Sequence, residues 1–306
     1  MSGVAAIGEC MMEFSKTSSD SWRAAYSGDT FNTLWTMRAI LEPSTAMDYV
    51  TACGDDIYSA EQVSFFRRNG IGIAASPTVK GAHPGIYLIQ LVDGERSFAY
   101  WRSDAAARRL ADDPAALSTS LTGRTLIYLS GITLAILSPG PRENLFQALA
   151  TARKAGTRIA FDTNFRPKLW HSITEAREVM GAMMPLVDIA LPTYDDEQLL
   201  FDDVDPETTL RRLRNSGIGE LVIKHGPKGA FAAIDGQEPR YVPAYPVEPL
   251  DTTGAGDAFN GAYLAARLSG SSVTHAVARG HLVAACVVRT RGALAPLDRI
   301  AAAFRS

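Results

Sequence analysis

Short apolar runs alternate with longer stretches of helical periodicity along most of this sequence. Six runs have the length and composition of strands: VAAIGECMM, MDYVTACG, TLIYLSGI, TRIAFDTN, LVDIALP and ELVIKHG. Helical stretches such as RENLFQALATARKAG lie between them. This alternation is typical of βα units, whose parallel sheet is covered by helices on both faces. It predicts an α/β fold with a doubly wound, mostly parallel sheet and with ligands at the carboxyl ends of the strands.

The chain is long enough to bury a large core. It has 306 residues, of which 46% are hydrophobic. At about 150 residues per domain, this length fits either two domains or one large α/β unit. The sequence contains no repeat, low-complexity tract or long linker. We therefore expect a single domain over residues 1–306.

Charge and composition argue against several classes of partner. The net charge is −3 and there is no block of Lys or Arg, which disfavours binding to nucleic acid or anionic lipid. The start, MSGVAAIGECMMEF, lacks the features of a secretory signal, and no apolar run approaches the roughly 20 residues needed to span a membrane. Cys10, Cys53 and Cys286 form no disulfide or zinc pattern. We expect small-molecule partners and a cytoplasmic location.

One segment departs from the alternation of strands and helices. In GIYLIQLVDGERSFAYWR, two extended runs flank Asp93 and Gly94, a strong hairpin signal. With the polar stretch SWRAAYSGDT, this hairpin is expected to form a small second sheet. We interpret the sheet as a lid over the strand ends, built from segments near 11–30 and 85–103. An ordinary solvent-facing hairpin is the alternative.

A glycine-rich turn precedes a helix in DTTGAGDAFNGAYLAARL, which begins at Asp251. Either Thr252 or Thr253 is expected to cap this helix, so that 254–257 form its first turn. Free amides and the positive end of the helix dipole make such a turn an anion site. A carboxylate there repels a phosphate, unless it takes the proton from a hydroxyl that attacks the phosphate. Asp257 is therefore a candidate base, or otherwise an acid that complements the dipole.

Other candidate ligand contacts are weaker signals. The loop KHGPKGAF, residues 224–231, would let a base or ribose lie against Gly226 and Gly229, although a plain β-turn explains it equally well. His281 is expected near the start of a helix, as a ligand or a structural residue. Arg102 and Arg166 suit a substrate that carries an acid group, since arginine binds carboxylates through two parallel hydrogen bonds. The Walker loop, GxGxxG and HExxH motifs are missing.

Several motifs, in order along the chain, carry a resemblance to a known family. DTTGAGDAF resembles the signature of the PfkB, or ribokinase-like, family of carbohydrate kinases, and YSGDTFNT, FDTNFRP and VIKHGPKGA extend the match. Within the family, GECMMEFS, GERSFAYWRSDAAAR and LSGITLAILSP are most similar to the branch that phosphorylates the terminal hydroxyl of 2-dehydro-3-deoxy-D-gluconate. A kinase for a neutral sugar or another ketoacid, and a non-catalytic sugar or nucleotide sensor, are the alternatives.

The resemblance implies a role for each matching position. Asp257 matches the catalytic base, and the anion hole matches Gly254, Ala255 and Gly256. The positions that match substrate contacts are Gly28, Asp29, Asn32, Tyr87, Tyr100, Arg102 and Arg166, with the arginines at the carboxylate. The positions expected to contact ATP are Asn164, Lys224, Gly226, Gly229 and His281. Because it lies at a helix N-terminus, Asp257 is expected to have a lowered pKa.

The resemblance also implies Mg²⁺, carried with ATP. Many relatives organise its water shell with an NxxE motif, but LPTYDDEQLL has Thr193 in place of the Asn. Asp196 or Glu197 is then expected to act on the metal through water. A monovalent cation is possible near Asp251 and Gly292. The lid is expected to mediate a homo-oligomer, because it leaves an open edge and an apolar face.

Overall fold

A computed structural model describes residues 3–18, 20–73, 75–92 and 95–306. Its central sheet has eight strands, in the spatial order β14 (Arg240–Val242), β13 (Ala230–Ile234), β12 (Glu220–Lys224), β11 (Ile189–Ala190), β10 (Arg158–Asp162), β9 (Leu126–Ser130), β1 (Val4–Ile7) and β4 (Met47–Val50). The strands from β12 to β4 are parallel to one another, and at one edge β13 runs antiparallel to both of its neighbours, β12 and β14. The predicted mostly parallel sheet is confirmed.

Helices cover both faces of this sheet. They are α1 (Asp29–Ile40), α2 (Ile57–Arg68), α3 (Pro114–Leu121), α4 (Gly131–Ile136), α5 (Pro139–Lys154), α6 (Ile173–Met183), α7 (Tyr194–Phe201), α8 (Pro206–Asn215), α9 (Ala255–Leu268), α10 (Val273–Val287) and α11 (Leu297–Arg305). Side chains alternate along each strand, so Ala5 and Ile7 join one core cluster while Val4 and Ala6 join the other. The fold is therefore doubly wound, as the sequence predicts. No helix among the described residues could cross a membrane.

A separate four-stranded sheet has the spatial order β3 (Trp22–Ser27), β2 (Met11–Lys16), β7 (Ile86–Val92) and β8 (Glu95–Trp101). β7 and β8 pair antiparallel, so the predicted hairpin strands are present. Asp93 and Gly94, on which the hairpin signal rests, lie outside the described residues. A third sheet pairs only β5 (Cys53–Gly54) with β6 (Thr78–Val79).

The chain crosses between the two larger sheets in short steps. VAAIGECMM was predicted as one strand, but the structure divides it into β1 of the central sheet and the start of β2 of the small sheet. The return is shorter still, because β3 ends at Ser27 and α1 begins at Asp29. MDYVTACG is likewise divided, between β4 and β5. A hydrophobic run shows that a segment is extended but not where it leaves its sheet.

Candidate active site

The first turn of α9 forms one wall of the site. The predicted cap by Thr252 or Thr253 is wrong, because the capping residue is Gly254, in the left-handed region at φ 75°, with no side-chain cap. A Cβ on Gly254 would lie 2.9 Å from the carbonyl oxygen of Ala293. Glycine is therefore required by both the backbone angle and the space. Ala255, Gly256 and Asp257 follow in the first turn, where amides have no partner within the helix. The Ala255 amide donates to the carbonyl of Thr252 at 3.3 Å, before the helix begins.

Asp257 is held against α1. Its Oδ2 accepts a hydrogen bond from Asn32 Nδ2 at 2.8 Å, and its backbone oxygen accepts one from Thr33 Oγ1 at 3.1 Å. Burial raises the pKa of Asp257 to about 7, and the charge of Asp29 adds to the rise, while Asn32 and Lys224 oppose it. The predicted lowering of this pKa is therefore wrong. A base that titrates near neutral pH is well matched to taking a proton from a hydroxyl.

Asp29 begins α1 at the carboxyl ends of two central strands. Its Oδ2 accepts hydrogen bonds from Asn164 Nδ2 at 2.7 Å and from Ser130 Oγ. Asn164 has a positive φ of 35°, which is uncommon outside glycine and turns its amide toward Asp29. Asn164, expected to contact ATP, thus lies with the residues expected to contact the sugar. Gly28 precedes Asp29, and a Cβ there would overlap the carbonyl oxygen of Glu9.

Lys224 lies beneath the glycine turn. Its Nζ donates to Asp162 Oδ2 at 2.6 Å, and Asn260 Nδ2 donates to the same oxygen at 2.7 Å. A Cβ on Gly256 would be 3.6 Å from Lys224 Nζ, so the buried ammonium lies next to the expected anion hole. Such a cation strengthens an anion site in surroundings of low polarity.

The remaining expected ATP contacts lie at the edge of the site. Gly226 and Gly229 flank a short 3₁₀ turn after β12, both at positive φ, 52° and 108°. His281 lies well inside α10, so its prediction near the start of that helix is wrong. It contacts Phe259 edge to face, with ring centroids 5.0 Å apart, and burial lowers its pKa. Its Nε2 is buried without a partner among the described residues.

Two of the expected substrate contacts, Tyr87 and Tyr100, lie on the small sheet. Tyr87 and Tyr100 are direct partners on β7 and β8, and their rings stack with centroids 5.8 Å apart. Tyr87 is buried and donates to Glu13, whereas Tyr100 is 52% exposed. Burial raises the pKa of Tyr100, and the charges of Arg102 and Arg166 both oppose that rise. Both guanidinium groups therefore lie close to Tyr100, although they come from different parts of the chain.

Each of these arginines already has a carboxylate partner. Arg102 pairs with the buried Glu9. Arg166 donates to Asp196 Oδ1 at 3.2 Å and to the carbonyl of Phe165 at 2.8 Å, and its side chain is 51% exposed. Sequence reasoning missed Glu9, although an acid inside an apolar run is itself a signal, since Glu is seldom fully buried without a partner.

The two candidate metal contacts differ in their surroundings. Burial raises the pKa of Asp196 to about 6, and Asp162 and Lys224 lie close enough to influence it. Glu197 is fully buried and pairs with Arg212, and burial raises its pKa to about 7. No cluster of three or more His, Cys, Asp or Glu side chains is found in the described part of the chain. A single carboxylate fits Mg²⁺ that is held mainly by phosphates and water, and Asp196 is the better placed of the two.

Asp251 and Gly292, expected near a monovalent cation, are in contact. Asp251 Oδ2 accepts the amide of Gly292 at 2.8 Å, and its Oδ1 accepts the amide of Thr253 at 2.9 Å. The carboxylate therefore joins the loop before α9 to the loop before α11 and stabilises the backbone that leads into the glycine turn.

The chain is similar to known proteins along nearly its whole length. The model of the pfkB family of carbohydrate kinases matches residues 1–300. The 2-dehydro-3-deoxygluconokinase of Dickeya dadantii is 39% identical over 306 residues, covering 98% of each chain. The Escherichia coli K12 protein of the same name is 38% identical, covering 98% of this chain and 99% of the relative.

Solved structures show the same fold. A putative ribokinase II from E. coli, in complex with ATP and Mg²⁺, superposes with a TM-score of 0.86 at 24% identity and covers 100% of this chain and 99% of its own. An aminoimidazole riboside kinase from Salmonella enterica superposes with a TM-score of 0.83 at 21% identity, covering 99% of this chain and 100% of its own.

Proposed function

The chain belongs to the pfkB family of carbohydrate kinases, and from this premise we propose that it phosphorylates the terminal, 6-hydroxyl of 2-dehydro-3-deoxy-D-gluconate. ATP is the phosphoryl donor, and the products are 2-dehydro-3-deoxy-6-phosphogluconate and ADP. Full-length relatives that are 37–39% identical and bear the name of this kinase support the substrate. The observation that carries the acid specificity is that Arg102 and Arg166, from distant parts of the chain, both lie close to Tyr100. A carboxylate bound beside Tyr100 would meet two permanent cations.

Asp257 is the proposed catalytic base. The 6-hydroxyl oxygen forms a bond to the γ-phosphorus, the bond from that phosphorus to the β,γ-bridging oxygen breaks, and the hydroxyl proton passes to the Asp257 carboxylate. Asn32 orients the carboxylate through its hydrogen bond to Oδ2. Amides of the glycine turn, residues 254–256, stabilise the charge on the phosphoryl oxygens, and Lys224 lies close to this turn.

The nucleotide and its ions are proposed to lie beside this turn. The nucleotide is proposed to contact Gly226, Gly229 and the unpartnered Nε2 of His281. Asn164 connects this site to the sugar site through its hydrogen bond to Asp29. Asp196 would hold Mg²⁺ through its water shell, and the ion would supply neutralisation of the phosphate charge. A monovalent cation would lie at the loops that Asp251 and Gly292 join.

The small sheet is proposed to act as a lid and as the contact between two copies. The register puts Tyr87 and Tyr100 on one face and Trp22 and Trp101 on the other. Trp22 is 38% exposed and Trp101 is 56% exposed, an apolar surface that a second copy would cover. We expect a homo-oligomer of single-domain chains that works in the cytoplasm. Sedimentation that finds only monomer at micromolar concentration would contradict this assembly.

An assay of ADP release over a panel of sugars and sugar acids tests the activity. The panel holds the ketoacid, its galactonate epimer, fructose and ribose, and Asp257→Asn serves as the inactive control. We expect the ketoacid to have the highest kcat/KM. Faster turnover of ribose or fructose would refute the substrate, and no turnover of any compound would indicate a sensor.

A further inference from the structure

Glu9 is a buried acid at the point where the chain leaves the central sheet. It lies between β1 and β2 and is only 3% exposed. Glycine backbones enclose it, because a Cβ on Gly85 would overlap Glu9 Oε1 and a Cβ on Gly28 would overlap the carbonyl oxygen of Glu9. Gly28 and Asp29 belong to the proposed sugar site, so Glu9 lies directly beneath that site.

The pairing between Glu9 and Arg102 is incomplete. Glu9 Oε2 accepts from Arg102 Nη2, but Glu9 Oε1 and Arg102 Nε are both buried without a partner among the described residues. Arginine and carboxylate frequently pair through two parallel bonds, and the second of these bonds is not made here. Burial also raises the pKa of Glu9, and Arg102 offsets the rise only in part. A buried ion pair of this kind adds little to the free energy of unfolding, which favours a role in function over a role in stability.

We propose that Glu9 is a positioning residue, which holds Arg102 so that its remaining donors face the carboxylate of the substrate and which thereby sets the preference for sugar acids. This inference rests on the proposed function. The bond at Nη2 and the burial of the side chain, which is 12% exposed, restrain the guanidinium, and in the described part of the chain Nη1 donates to no protein acceptor. Glu9 and the carboxylate of the substrate are both negative and repel each other. The benefit of Glu9 therefore comes from the orientation of Arg102 and not from attraction to the substrate.

The test compares the ketoacid with a neutral analogue in which the acid carbon is reduced to an alcohol. Glu9→Gln keeps the shape and an acceptor, and we expect it to lower the ratio of the two kcat/KM values about tenfold. Glu9→Ala should lower the ratio about 10²-fold, mainly through KM for the ketoacid, because misplacement of a binding group by about 1 Å has an effect of this size. KM for ATP should not change. In an Arg102→Ala background, Glu9→Gln should have no further effect on the ratio, because the two residues act as one unit.

Glu220→Gln is the matched control. Glu220 is also a buried carboxylate paired with an arginine, Arg267 at 2.9 Å. It begins β12, about 13 Å from Lys224 at the other end of that strand. We expect this variant to lose stability and to keep the wild-type ratio.

Each outcome separates the inference from the function on which it rests. A folded Glu9→Gln variant that keeps the wild-type ratio overturns the inference, as does an equal loss on both substrates, which indicates a purely structural role. If Glu9→Ala does not fold, Glu9→Gln and the double variant still test whether Glu9 positions Arg102. A wild type without preference for the acid refutes the proposed function instead.

Discussion

Replacing Asp257 by asparagine should make the ligand-free protein more stable above neutral pH while it removes the proposed base. The carboxyl lies partly buried beside Asp29, and its pKa rises from 3.8 to about 7 on folding. Folding therefore favours the protonated form. The stabilising contribution is complete below pH 3.8 and is lost as the pH rises through about 7.

The size of this effect follows from the two pKa values. The folded value lies roughly 3 above the unfolded one, and each unit corresponds to about 1.4 kcal/mol. The wild type should therefore lose on the order of 4 kcal/mol between pH 4 and pH 8 from this group. Because Asp257 is only partly buried, solvent screening makes this figure an upper bound. Asparagine keeps the shape and an acceptor for Asn32 but does not titrate, so the variant avoids the loss.

The assay is urea unfolding of both proteins at pH values from 5 to 8 without ligands. The difference in unfolding free energy, variant minus wild type, should grow with pH and level off once the pH exceeds about 7. Groups that do not interact with Asp257 affect both proteins equally and cancel in this difference. Parallel stability curves over this range would mean that Asp257 titrates near its ordinary pKa, and the argument from burial and Asp29 would fail.

Three further predictions concern activity. In the free enzyme, kcat/KM should rise with pH along an acid limb near 7, since protonated Asp257 cannot take a proton, and a limb near 4 would contradict the raised pKa. Arg102→Ala and Arg166→Ala should each lower kcat/KM for the ketoacid about thirtyfold to several thousandfold, which corresponds to a loss of roughly 2 to 5 kcal/mol of transition-state stabilisation. Lysine at either position should restore only part of this kcat/KM, and variants that keep the preference for the acid would mean that its carboxylate binds elsewhere. Gly254→Ala should lower kcat and destabilise the protein by about 1 kcal/mol or more, because Gly254 has a positive φ and faces the carbonyl of Ala293. The control Gly181→Ala, inside α6 where a Cβ meets nothing within 4 Å, should keep kcat and should not destabilise the protein; equal thermal unfolding of the two variants would refute this reasoning.

The sequence predicts the central sheet well because alternation of strand and helix is repeated along the chain. The sequence predicts the ends of strands and helices less well, because one or two residues determine where each element begins or ends. The split of VAAIGECMM depends on three residues after Ile7, and the start of α9 depends on the left-handed backbone of Gly254. In both places local propensity favours another outcome, and tertiary packing overrides it.

The candidate site divides in the same way. Motifs identify Asp257, Lys224 and the glycine turn because each belongs to a continuous stretch of sequence. The direction of the Asp257 pKa could not be predicted, since it depends on burial and on Asp29, which is remote in sequence. Glu9 escaped notice for the same reason, because its partner Arg102 is brought to it only by the small sheet.

The two short crossings between the sheets constrain how such a chain can evolve. One crossing contains Glu9 and the other contains Gly28, next to Asp29. An inserted or deleted residue in either would move these groups by about 3.3 Å, far more than a sugar site tolerates. In related chains, changes in length are therefore expected in the outer loops and not in the two crossings. New sugar preferences should arise through substitutions at the crossings, with their lengths unchanged.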